Sequence, residues 1–129
     1  MTFKATYLGS NGWLIKFKKT NLIIDPWLKG DLIFPPGEWF FKGSLEEEIL
    51  MDKNIDIILL TQGLPDHCHV PTLEIFRKDI PVICPKSAVE TLKKIGFSSI
   101  KVLKPTEKTN LFNLSFEATA GAPVPQIEN

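Results

Sequence analysis

The chain has no excess charge of either sign: 15 basic residues face 15 acidic ones, for a formal net charge of zero. Without a long-range field or a basic stripe interleaved with aromatics, nucleic acid and anionic membrane surfaces are not expected partners. Cysteine is scarce, with only Cys68 and Cys84, too far apart in sequence to suggest a disulfide framework. No apolar run approaches the length that crosses a bilayer, and the opening Met1-Thr2-Phe3-Lys4-Ala5 lacks the charged and apolar regions of a signal peptide. A cytoplasmic setting is therefore the default expectation. Phosphate-binding and dinucleotide fingerprints are absent, as are internal repeats and low-complexity tracts. Histidine is scarce too, and both histidines fall in one short stretch.

What is present reads as a layered α+β (α/β) sheet protein of one domain spanning 1–129, with 43% hydrophobic residues to form a core. Phe3, Ala5 and Tyr7 alternate with polar residues, and so do Trp13, Ile15 and Phe17 beyond the turn signal Gly9-Ser10-Asn11-Gly12. Leu22-Ile23-Ile24 makes a third, more buried strand, so the N-terminal part is an antiparallel meander ending at Asp25-Pro26. The segment 34–41 is a Pro-Pro-Gly loop rich in aromatics, expected to pack under the body, with a lid as the other reading. Ser44 with Glu47, and Ser87 with Glu90, have capping-box spacing and predict two helices. A further helix is predicted from Pro71 to Arg77. The aliphatic runs Ile55–Leu60, Pro81–Cys84 and Ile100–Leu103 predict buried strands. Leu111–Ala118 alternates throughout and predicts one strand with Phe112, Leu114, Phe116 and Ala118 facing inward.

The run Ile55–Leu60 leads into Thr61-Gln62-Gly63-Leu64-Pro65-Asp66-His67-Cys68-His69. Asp66, His67, Cys68 and His69 are all ligand types for zinc or iron, and an imidazole moves protons near neutral pH. The bland alternative is a helix-start loop with Asp66 as a cap. A closed structural zinc site is not expected, since no second Cys/His pair exists. Asp25, at the end of another buried strand, is the best internal candidate to join the cluster. A Cys68–His nucleophile is conceivable, but adjacent residues seldom orient correctly for it.

These residues resemble the metallo-β-lactamase superfamily. Tyr7-Leu8-Gly9-Ser10-Asn11-Gly12-Trp13-Leu14-Ile15 is similar to that family's first hairpin, and Leu22-Ile23-Ile24-Asp25-Pro26-Trp27-Leu28 to the strand that follows. Leu59-Leu60-Thr61-Gln62-Gly63-Leu64-Pro65-Asp66-His67 aligns with the metal motif Thr-His-x-His-x-Asp-His. The resemblance implies an αββα sandwich, of which this chain would be the N-terminal half: a mixed sheet with helices on one face. It also implies a metallo-hydrolase-like function. Where the family has its two spaced histidines this chain has Gln62 and Leu64, and Ala118-Thr119-Ala120-Gly121-Ala122 offers no third histidine. The variant motif matches a divergent subgroup.

Two functional expectations follow. In one, Asp66, His67 and His69 hold a single divalent metal (zinc, manganese or iron), and Asp66 and His67 serve hydrolysis of an ester or lactone. In the other, the chain holds no metal and is a non-catalytic half-domain. It would then complete its sandwich as a homodimer, sheets face to face, or with a complementing C-terminal half. An isolated half would leave Phe112, Leu114 and Phe116 or their neighbours uncovered.

Overall fold

The computed structural model describes residues 3–35, 37–39, 42–45, 47–49 and 54–121. Alternating apolar residues and two tight turns produce the expected meander, β1 (Phe3–Gly9), β2 (Gly12–Phe17) and β3 (Thr20–Ile24). The segment after it contributes only the short pair β4 (Leu32–Ile33) and β5 (Lys42–Gly43). The aliphatic runs then form β6 (Ile57–Leu59), β7 (Val82–Cys84) and β8 (Ile100–Val102), separated by α1 (Val70–Leu73) and α2 (Val89–Ile95). Finally β9 (Lys108–Leu111) and β10 (Leu114–Glu117) form a hairpin. The main sheet has the order β1-β2-β3-β6-β7-β8. Its meander strands pair antiparallel, while β3, β6, β7 and β8 run parallel.

Strand alternation divides the core into two. On one face Ile23, Ile58 and Val82 pack against Leu73, Phe76, Ala88 and Leu92 of the segments that connect the strands. On the other, Leu22, Ile57 and Ile83 pack against Phe116, with Leu111 and Leu114 half-buried beside them. The helices therefore lie on one face and the β9–β10 hairpin on the other. Each fully buried aliphatic contributes about 1.5–3 kcal/mol, so the parallel centre of the sheet is its most strongly held part. Gly96, at φ 112°, closes α2 in the left-handed conformation that a residue with Cβ avoids.

Several expectations are corrected. Leu111–Ala118 is not one strand: Phe112 and Asn113 take φ 49° and 62° and turn the chain between β9 and β10. Two successive positive-φ residues make the hairpin turn whose twist suits its strands. Phe112 thus sits at the tip, half exposed, and Phe116 is buried because the hairpin folds back onto the sheet. The Ser87–Glu90 capping box does not form, because a 3₁₀ turn (Lys86–Ala88) leads into α2 and Ala88 stands at the N-cap. Around the first box, Ser44, Leu45 and 47–49 are not helical, and the remainder of that predicted helix lies outside the described residues. The helix after the cluster stops at Leu73. In the aromatic loop, Trp39 is at the surface, 79% exposed, rather than packed under the body; Phe40 and Phe41 lie outside the described residues. The face that β1 was expected to bury is also open, with Phe3 63% and Tyr7 57% exposed.

Candidate active site

The site forms where neighbouring parallel strands β3 and β6 deliver their carboxyl ends, the position at which open α/β sheets present ligand-binding groups. Asp25 follows β3 in a left-handed conformation, φ 43°, with its amide bonded to the Leu59 carbonyl at 3.0 Å. That anchor buries the carboxylate to 3% exposure and turns it toward the loop after β6. Oδ1 accepts the Thr61 amide at 2.8 Å. Oδ2 accepts the Thr61 hydroxyl at 2.5 Å and lies 2.7 Å from His67 Nδ1. Three donors thus meet one buried carboxylate, the arrangement that makes burial of an ionised group tolerable.

These contacts fix the imidazole. An acceptor-only carboxylate against Nδ1 requires the proton on that nitrogen, so in the neutral ring Nε2 carries the lone pair. The Thr61 hydroxyl is 3.0 Å from the same nitrogen; with both protons directed at Asp25, this is a packing contact. Nε2 faces Asp66 Oδ2 at 3.4 Å and the Asn11 side-chain amide at 3.5 Å. Asn11, in the turn between β1 and β2, also donates to the Asp66 carbonyl at 3.3 Å and to Oδ2 at 3.2 Å. The turn carrying the pair is closed by amides of His67 and Cys68 on the Leu64 carbonyl, at 2.9 and 2.8 Å. Asp66 Oδ1 is buried and has no hydrogen-bond partner among the described residues.

His69 is not brought to this point. It is 3% exposed, with Nδ1 2.8 Å from the Thr72 hydroxyl and Nε2 2.8 Å from the Asp31 carbonyl. A carbonyl can only accept, so Nε2 holds the proton, and Thr72 donates to Nδ1 while accepting the Leu28 amide at 2.9 Å. Both ring nitrogens are committed to bracing the loop after β3 against α1, and burial pushes the imidazole's pKa below its ordinary value. Cys68 is likewise withdrawn: it is 3% exposed, and burial, with smaller contributions from Cys84 and Asp25, pushes its thiol up to about 11. A protonated, buried thiol is no nucleophile. Gln62 and Leu64 lie at the surface, Leu64 53% exposed.

Asp25, Asp66 and His67 were named from sequence, and the structure brings them together. Thr61 and Asn11 were missed as participants. Thr61 had a signal, since it begins the stretch aligned with the metal motif; Asn11 read only as a turn residue. As for a metal, His67 Nε2 and the orphaned Asp66 Oδ1 are two donors, and no group of three or more His, Cys, Asp and Glu among the described residues is placed to hold an ion. A zinc site takes four ligands, at least three from protein. The residues present do not make a metal site by themselves.

The fold is thus a mixed sheet with helices on one face and a second layer begun on the other, and an Asp25–His67 pair stands at its strand ends. The family profile described as a beta-lactamase superfamily domain matches residues 4–128, and the chain belongs to that family. It is 36% identical over 81 residues to a UPF0173 metal-dependent hydrolase of Paracoccus denitrificans (strain Pd 1222), a stretch covering 62% of this chain and 31% of that protein. Its fold is similar to a possible metal-dependent hydrolase from Veillonella parvula DSM 2008, at TM-score 0.68 and 17% identity, over 89% of this chain and 46% of that one. It is also similar to CmlA, a diiron beta-hydroxylase from Streptomyces venezuelae, at TM-score 0.66 and 17% identity, over 92% and 24%. The chain thus spans less than half the length of each of these relatives, and it carries one half of the αββα sandwich. No helix of the described residues is long and apolar enough to cross a membrane.

Proposed function

We propose that this chain is the N-terminal half of a metallo-hydrolase-like unit in which Asp66 and His67 are the catalytic pair. Asp25 and Thr61 are positioning residues, and His69 is a brace rather than a ligand. The observation that carries this reading is the bond from His67 Nδ1 to buried Asp25 at 2.7 Å, which turns Nε2 outward beside Asp66. A carboxylate behind an imidazole fixes its tautomer and its orientation, whether the ring takes a proton or a metal. As a base, Nε2 withdraws the proton from a water attacking an ester or lactone carbonyl, and Asp25 stabilises the imidazolium that results. A divalent metal, implied by the relatives' description as metal-dependent hydrolases, would have Nε2 and Asp66 Oδ1 as its donors here. Its remaining ligands would come from the half of the sandwich that completes the unit.

The test follows the His67 ring by ¹⁵N NMR while zinc is added, alongside turnover of an aryl ester by wild-type, His67→Ala and Asp25→Asn chains. The expected result is a zinc response at His67 Nε2 and none at His69, with the Asp25→Asn ring losing its single tautomer. Turnover, where present, disappears in His67→Ala. Zinc that shifts His69 first, or ester turnover equal in wild-type and His67→Ala, sinks the assignment.

A second reading has its own support: the chain as a non-catalytic half-domain whose role is to pair. Gln62 and Leu64 stand where the family motif has histidines, and an apolar row on β1 and β2 is uncovered. Under this reading zinc leaves His67 unmoved and no ester is turned over.

A further inference from the structure

The β9–β10 hairpin is the beginning of a second layer, and it covers only part of the sheet beneath it. The strand pairing places Phe3, Ala5 and Tyr7 of β1 opposite Phe17, Ile15 and Trp13 of β2, all on the face that carries Leu22, Ile57 and Ile83. The hairpin covers the last three. The β1–β2 row stays open, with Phe3 63%, Tyr7 57% and Trp13 40% exposed. Their rings meet at a tilt across the strands, Tyr7 against Trp13 at 5.0 Å between centroids and Phe3 near Phe17 at 6.5 Å. A cavity of about 420 Å³ runs between this row and Leu114 and Phe116 of β10. It is therefore β10, not β9, that borders the open area. Among the described residues, β10 pairs with β9 alone and β1 with β2 alone. Two unpaired edges and one uncovered face thus belong to the same region of the molecule.

We infer that the occupant is a second copy of this chain, in a two-fold dimer where β1 of each copy adds to β10 of the other. This rests on the reading of the chain as half of a sandwich. The layers decide the geometry. Stacked sheets lie about 10 Å apart, so a sheet covering β1–β3 occupies the layer the hairpin already occupies and must abut it at β10. If that sheet is the partner's, turned face to face, its own free edge is β1, and the two edges meet. The same contact recurs on the other side by symmetry, as an isologous interface requires. Each layer then holds the six strands of one copy and the two of the other's hairpin, eight in all, and no copy keeps β1 or β10 as an open edge. The outward side chains are compatible: β1 presents Lys4 and Thr6, and β10 presents Ser115 and Glu117, whose carboxylate already meets Lys108 of β9 at 3.7 Å. The exposed parts of Phe3, Tyr7 and Trp13 alone give on the order of 300 Å² per copy. Two copies reach about 600 Å², and Ile15, Phe17, Leu114 and the two added ladders carry the total past the roughly 1,000 Å² of a specific interface.

The test is light scattering of the whole 129-residue chain at micromolar concentration, with Tyr7→Lys and Trp13→Lys variants and a cross-linking pair. The expected mass is twice 14.5 kDa, and each lysine variant raises the dimer dissociation constant on the order of a hundredfold while circular dichroism keeps its sheet signal. Thr6→Cys chains mixed with Ser115→Cys chains, treated with a short bismaleimide, give a covalent heterodimer that neither variant gives alone; Cys68 and Cys84 are buried and stay unlabelled. A monomer overturns the proposal, whatever else then covers the row. A dimer that resists both lysine substitutions, or yields no Thr6→Cys to Ser115→Cys product, overturns it as well. None of these readouts involves zinc or turnover. A dimer whose ester turnover is equal in wild-type and His67→Ala chains therefore sinks the functional reading alone, and a monomer in which zinc shifts His67 and not His69 sinks this one alone.

Discussion

Replacing Thr72 with Val tests whether His69 is a structural brace. Thr72 is fully buried, and its hydroxyl serves two groups, accepting the Leu28 amide at 2.9 Å and donating to His69 Nδ1 at 2.8 Å. Valine has nearly the same shape, so no cavity forms and the change isolates the hydroxyl. It leaves a buried N–H and a buried ring nitrogen without partners. Each such orphan costs about 1–3 kcal/mol, for a total of about 2–6 kcal/mol. The ring cannot repair the loss by moving its proton to Nδ1, because Nε2–H is needed by the Asp31 carbonyl. Against a total stability of roughly 0.05–0.15 kcal/mol per residue, this is a large fraction. Urea unfolding at fixed protein concentration reads it as a lower midpoint with unchanged slope. Thr72→Ser, which keeps the hydroxyl and loses one methyl, costs about 1 kcal/mol. A Thr72→Val chain within about 0.5 kcal/mol of wild-type would refute the argument, as would a Ser variant as unstable as the Val variant; substitutions at inconsequential surface positions have effects of about that size.

Three further outcomes are expected. His69 has its pKa lowered from 6.5, chiefly by burial; the folded state therefore binds fewer protons than the unfolded chain. Its stabilising contribution is complete above pH about 6.5 and declines as pH falls below it, which urea midpoints of wild-type and His69→Gln chains across that range measure as a steeper slope in the former. Cys68 and Cys84, both pushed up to about 11, leave Ellman's reagent unreacted at neutral pH in the folded chain and consume it fully in guanidinium; rapid labelling of native protein contradicts the burial. Gly63→Ala places a Cβ 2.5 Å from the Ser87 carbonyl oxygen, a backbone atom with little room to yield, so thermal unfolding records a loss of about 1–3 kcal/mol, and an unchanged midpoint contradicts that packing.

The parts of the fold legible in the sequence are those where one local pattern has one outcome. Ile55–Leu60 reads as a buried strand because an aliphatic run of that length has few other uses, and Asp25 reads as a site residue because a carboxylate at the end of such a strand has nowhere inert to go. What was not legible depends on direction and on distant partners. His67 and His69 are equivalent as letters, yet the turn held by the Leu64 carbonyl sends one ring toward Asp25 and the other toward Thr72 and Asp31. No periodicity rule covers irregular backbone, so only the alignment of Asp66-His67 with the family motif set the two apart, and the direction of each ring came from the structure. Phe112 misled because its strand-like alternation is real on both sides of a two-residue turn. That turn needed φ > 0 at Phe112, a conformation uncommon for a bulky residue.

The same boundary explains both the unfinished core and the unfinished site. The side chains that stay open, Phe3, Tyr7 and Trp13, lie on the face where a second layer would pack, and Asn11, which reaches Asp66 and faces His67, sits in the turn between their strands. Covering the row would therefore also wall the site on that side and separate Nε2 from bulk solvent. There the Asp25–His67 bond gains strength as the local dielectric falls. On this argument, site chemistry and face covering are coupled through the β1–β2 turn. On the proposed function, a chain that keeps Asp25, Thr61 and His67 in place while leaving β1 open holds the imidazole in position without the enclosure that would make this geometry effective.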